Sequence, residues 1–181
     1  MKRAVVIVLT GLMIWAARPL PAMACGPIIE VHFYESGPDL WVIKNQSQEP
    51  WTLVTLEIIL TGSNGKLVFD TEEGGLGYNS PYQFEAVDND VGLAIVPKVT
   101  DGSEKLTLSF LSFEPGKSFM FTVDIDDRVG NSEWGQGHIS GNEIHNTRAE
   151  ALLTSKKFGK TVAKGAFGTD GKANLRGATC V

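Results

Sequence analysis

Apolar side chains recur at every second position along most of this chain, the period of strands with one buried and one exposed face. Ile29, Val31 and Phe33 alternate with Glu30, His32 and Tyr34. Residues 40–44 form a second run, and the Asn45-Gln46-Ser47 turn leads into residues 51–60, where Thr52, Val54, Leu56, Ile58 and Leu60 share a side. Ser63-Asn64-Gly65 turns the chain into residues 66–69, and residues 70–90, with their glycines and Pro81, read as a long loop. Apolar runs resume at residues 92–99 and 105–113. Glu114-Pro115-Gly116 then opens the clearest strand, Ser118 to Asp126, with Phe119, Phe121, Val123 and Ile125 on one face and Met120, Thr122, Asp124 and Asp126 on the other.

Residues 147–154, 160–167 and 172–181 close the series, with Gly168-Thr169-Asp170-Gly171 turning the last pair. Residues 143–157 also hold the helix formers Ala, Glu, Leu and Lys, so a short helix competes there with a strand. Eight or nine short strands joined by turns predict an all-β fold: an antiparallel β-sandwich with Greek-key, jelly-roll or immunoglobulin-like wiring, a closed barrel being the competing architecture. No repeat or long linker divides residues 25–181, which are expected to form one domain.

The N-terminus does not belong to this pattern. Lys2 and Arg3, an apolar run from Ala4 to Ala17 and the tripeptide Ala22-Met23-Ala24 have the order of a secretory signal, predicting cleavage after residue 24 and no membrane insertion afterwards. The apolar run is shorter than the roughly twenty residues that span a bilayer. The chain's two cysteines, Cys25 and Cys180, then bracket the exported part and are expected to form a disulfide, which on the chain-entropy model contributes roughly 4–5 kcal/mol and makes the terminal strands neighbours. Lipid anchoring through Cys25 is the alternative, and Ala22 and Met23 fit its signal poorly. Location is therefore expected to be the periplasm or the cell exterior.

Charge narrows the partners. The chain has 16 basic and 21 acidic residues; without Lys2, Arg3 and Arg18 the remainder carries a net −8, which disfavours nucleic acid and anionic lipid and suits cations or neutral partners. No nucleophile elbow, no His-Glu-x-x-His frame and no phosphate loop occurs, so no catalytic residue is assigned. Carboxylate pairs such as Glu143 or Glu133 with Asp126 leave open a small exported hydrolase acting on polysaccharide.

Asp124 and Asp126 sit two apart on a strand, which puts both carboxylates on one face about 7 Å apart. With Asp127 and Asn131 in the following loop they form a candidate oxygen cage for calcium, although the spacing is not that of an EF-hand. The competing reading is a strand end whose aspartates merely face solvent. Residues 119–127, Phe-Met-Phe-Thr-Val-Asp-Ile-Asp-Asp, preceded by Phe113-Glu114-Pro115-Gly116 and followed by Ile139-Ser140-Gly141-Asn142-Glu143-Ile144, resemble a β-sandwich module of bacterial secreted and surface proteins, among them exosortase-associated and aggregation-factor-core-like proteins. The resemblance spans residues 40–181 and implies adhesion or matrix association without established chemistry. The chain lacks the C-terminal Pro-Glu-Pro signal and hydrophobic tail of the sorted members, so it is expected to be soluble after export.

Aromatic residues suggest a second kind of site. Trp134, Tyr78 and Tyr82 fall in loops beside glycine and asparagine, as in sandwiches that stack rings on a glycan, and His138 lies close by in sequence; Trp41 and Trp51 fall in strands and read as core. A zinc set of His138, Glu143 and His145 has looser spacing than known zinc sites, and loop histidines are the default reading. The sequence thus favours a non-catalytic exported binding or adhesion module, calcium-stabilised, with a glycan or a cell-envelope component as partner.

Overall fold

In the computed structural model, which describes residues 26–78, 80–88 and 91–177, the chain is nearly all β. Cys25, Cys180 and the signal segment lie outside the described residues. The strands are β1 (Ile28–Tyr34), β2 (Leu40–Asn45), β3 (Thr52–Ile59), β4 (Val68–Asp70), β5 (Glu85–Asp88), β6 (Leu93–Ile95), β7 (Lys105–Phe110), β8 (Ser118–Thr122), β9 (Asp124–Asp126), β10 (Arg148–Ser155), β11 (Gly159–Ala166) and β12 (Lys172–Arg176). Ten of them form one antiparallel sheet, ordered β5-β8-β2-β1-β12-β11-β10-β3-β7-β6 and curled into a half-barrel, while β4 and β9 make a separate pair.

The terminal strands are neighbours at the middle of this sheet. Ile28 pairs with Arg176, and the ladder continues outward as the Gly177 N–H donates to the Pro27 carbonyl at 3.3 Å. Alternate positions of each strand fill the hollow of the curl. Ile29, Val31, Trp41, Ile43, Leu56, Ile58, Leu106, Leu108, Phe119, Phe121, Leu153 and Leu175 are among the buried core residues, while Glu30, Lys44, Lys164 and Lys172 stand on the outer face. Each large core side chain contributes roughly 1.5–3 kcal/mol by leaving water.

Four differences from the expected pattern have physical causes. A bulge against β10 displaces the phase of β3, so Leu53 rather than Thr52 and Val54 turns inward. The run from Ser118 to Asp126 is two strands: β8 pairs with β2 and β5, and after Val123 the chain leaves that sheet to pair with β4. Trp41 fixes this change of sheet by donating its indole N–H to the Val123 carbonyl (3.3 Å) while stacking on Phe121. Within residues 70–90 lies an edge strand, β5, too short and irregular to show a period.

The fourth difference concerns the helix expected near residues 143–157. Among the described residues only Gly141–Ile144 is α-helical, a single turn α1 capped by Ser140, and residues 148–155 are strand β10. Helix propensity there gives way to burial, because Ala149, Ala151 and Leu153 alternate into the core between β3 and β11. Asn45, expected in a turn, instead ends β2, paired with Ile29, and its buried side-chain amide donates to the Trp51 and Phe113 carbonyls.

Candidate functional site

Where β4 meets β9, the register sets Asp70 opposite Asp124, with Asp126 two residues further along the same strand. One carboxylate oxygen of each lies within 4.8 Å of the other two. These aspartates do not solvate a strand face: Asp70 is 2% exposed and Asp126 0%. The loop after β4 covers them. The Tyr78 N–H donates to Asp126 Oδ2, and Gly77 lies so close to Asp70 that an added Cβ would collide with its carboxyl group. Gly75 approaches Asp101 in the same way.

Asp101 organises that loop. Its Oδ1 accepts the N–H groups of Thr71 (2.9 Å) and Glu72 (3.3 Å), and its Oδ2 that of Leu76 (2.9 Å). The Thr71 N–H above all, with those of Leu76 and Glu72, holds the Asp101 carboxyl below the usual carboxylate range. From the other side Asp39 ties down β9, accepting from the Ile125 N–H (3.1 Å) and the Ser36 N–H (3.2 Å).

Among the described residues no cationic side chain pairs with these carboxylates. Burial, then the neighbouring Asp126 and Asp101, raises Asp70 to about 7; burial, then Asp126, Asp70 and Glu35, raises Asp124 to about 8. Asp39 is likewise pushed well above the usual range by burial, then by Glu35 and Asp124. Asp70 Oδ1 and Asp126 Oδ1 are buried without a hydrogen-bond partner, as is the Thr71 hydroxyl. Such oxygens need either protons or a cation between them.

The dimensions suit calcium. Two oxygens on one ion at about 2.4 Å lie at most about 4.8 Å apart, and an all-oxygen set of flexible geometry is what calcium accepts. Zinc and copper favour nitrogen or sulfur donors, which this cluster lacks.

Of the four metal candidates read from the sequence, the structure brings Asp124 and Asp126 together. Asp127 is buried outside the triad, its Oδ1 accepting the Val129 N–H, and Asn131 is exposed in the next loop. Sequence reading missed Asp70 and the supporting Asp39 and Asp101. The available signal was Asp70 at the end of an apolar run and directly before a glycine-rich loop; Asp101 stands in an Asp-Gly dipeptide, which signals a turn rather than a ligand.

Tyr78, Tyr82 and His138 line one cleft of about 510 Å³ together with Glu35, Gln136 and Asp124, so the metal candidate borders the aromatic one. His138 Nδ1 lies 3.1 Å from Glu35 Oε1, and the other oxygen of Glu35 accepts the Ile139 N–H. Trp134 is not in this cleft. It is 57% exposed and lines a smaller one of about 270 Å³ beside Tyr34 and Asp170, with Glu35 on the boundary of both. His145 Nδ1 lies 3.4 Å from Asn64 Nδ2, and His138 and His145 join no metal-sized group among the described residues.

Glu143, the carboxylate considered for hydrolysis, is buried and caps α1. Its Oε2 accepts the Ser140 N–H (2.8 Å) and its Oε1 the Glu133 N–H (3.0 Å). Burial alone would raise its pKa; the Ser140 and Glu133 N–H groups bring it below the ordinary value. Replacing it with Ala is expected to cost about 1–2 kcal/mol, a fall of roughly 2–8 °C in melting temperature, equally with calcium and with chelator. Thermal melts in both conditions check this.

No protein-family model, curated protein or solved structure matches the chain. No helix among the described residues is long and apolar enough to cross a membrane.

Proposed function

We propose that the chain is an exported, non-catalytic binding module in which calcium, held by Asp70, Asp124 and Asp126, fixes the loops around a glycan-binding cleft. The observation that carries this reading is the closed carboxylate triad, two of whose members have buried, partnerless oxygens. Asp124 belongs to both the triad and the cleft, so an ion there would hold Tyr78 in place through the loop pinned to Asp126. Tyr78 and Tyr82, 55% and 41% exposed, supply ring faces for stacking, and Glu35, Gln136 and His138 supply polar atoms for hydroxyl groups. Export agrees with the N-terminal signal pattern and with a disulfide joining Cys25 to Cys180, whose flanking strands run side by side at Pro27 and Gly177.

A glycan array probed with calcium and again with chelator tests the cleft. Binding is expected to need calcium and to weaken at least tenfold in Tyr82→Ala, while the calcium-dependent rise in melting temperature stays intact. Absence of any glycan signal, or binding indifferent to both calcium and Tyr82→Ala, would overturn the reading.

A further inference from the structure

The net acidity of the chain conceals a strong separation of charge. Residues 147–181 hold seven basic and two acidic residues, whereas residues 25–146 hold six basic and nineteen acidic. The fold converts this difference into a stripe. On β11 and β12 the even-numbered side chains face outward, which exposes Lys160, Lys164, Lys172 and Arg176. Lys164 sits directly opposite Arg176, and Arg148 on β10 stands opposite Ala166, so it too is outward on the adjoining strand.

Antiparallel pairing orders these cations along the strand axis as Lys160, then Lys164 with Arg176, then Arg148, then Lys172. Four residues of strand span about 13 Å, so the file is about 27 Å long and two or three strands wide. Only Lys164 has an ion-pair partner among the described residues, Glu150 at 2.9 Å. The other four pair with no carboxylate among the described residues, an arrangement that repels itself unless an anion lies along it.

We propose that this stripe binds a linear anionic polysaccharide laid parallel to β11 and β12. The spacing of these cations along the strand axis matches a polymer with repeating carboxylate or sulfate groups. Its narrowness argues against a membrane or a nucleic-acid duplex: Glu57 on β3 and Glu30 on β1 flank it and would face anions spread more broadly. Val162 and Ala166, exposed, and Leu152, half-buried, add apolar surface to the stripe, too little to insert into lipid. The site is separate from the carboxylate triad, so it stands whether or not calcium binds.

The test is binding to immobilised heparin, in EDTA so that no divalent bridge forms. Despite its acidic net charge the protein is expected to be retained at about 50 mM salt and to lose at least tenfold in affinity by about 200 mM. Joint reversal of Lys160, Lys164 and Lys172 to Glu is expected to weaken binding at least tenfold, and Lys→Gln at the same three sites to weaken it less. Joint reversal of Lys156 and Lys157, exposed in the turn before β11, should change it less than twofold. Thermal melts confirm that these surface variants fold. No retention, equal loss in the Lys156/Lys157 variant, or tighter binding to anionic phosphatidylglycerol vesicles or duplex DNA than to heparin would overturn the proposal.

Discussion

Stripping divalent cations at pH 8 is expected to lower the melting temperature by about 5–15 °C, and added calcium to restore it. A cation present at 100 to 1,000 times its dissociation constant contributes about 2.7–4.1 kcal/mol, and each kcal/mol is worth about 2–4 °C in a domain of this size. The sign with pH follows from the raised carboxyls. Unfolded, Asp70 and Asp124 titrate near 4; in the folded metal-free protein they titrate at about 7 and about 8. Between those limits the folded state binds more protons than the unfolded state, so metal-free stability falls as pH rises from about 4 to about 8.

Calcium needs the ionised carboxylates, so its effect grows across the same window and is small at about pH 5. Asp124→Asn separates this account from simple loss of structure. By removing one of three crowded charges it is expected to raise the chelated protein's melting temperature at pH 8 while abolishing the calcium response. Identical melts with calcium and with chelator at pH 8 would remove the cation from the account.

Reduction of the native protein is expected to lower the melting temperature by about 10 °C or more, and Cys180→Ser to reproduce the loss without reductant. A bridge from Cys25 to Cys180 closes a loop over almost the whole domain, where the chain-entropy contribution is roughly 4–5 kcal/mol. Neighbouring β1 and β12, joined as far as Pro27 and Gly177, bring both flanks of that bridge to one edge of the fold. Thiol titration of the denatured, unreduced exported product is the check. Two reactive sulfhydryls would contradict the bridge.

The fold was legible where one face of a strand is buried, because alternation then leaves a trace in the sequence. β1, β7 and β8 carry that trace clearly. It was illegible where both faces are covered. The residues of β9 are all buried, so Asp124 and Asp126 look from the sequence like a solvated strand end. Asp70 lies 54 residues earlier and becomes their neighbour only through the β4–β9 ladder, a long-range pairing that local pattern cannot specify. The bulge that turns Leu53 inward is likewise set by β10, far away in sequence. Charge misled in a different way: a sum over the chain hides Lys160, Lys164, Lys172 and Arg176, which only strand pairing assembles into a file.

Isothermal titration of calcium into the metal-free protein at pH 8 examines the carboxylate triad most directly. One ion per chain is expected, with a dissociation constant on the order of micromolar. The observed heat should vary with the buffer's ionisation enthalpy as protons leave the site, and affinity should fall at least a hundredfold in Asp126→Asn. Absence of binding, or binding of undiminished affinity in both Asp126→Asn and Asp70→Asn, would contradict the account.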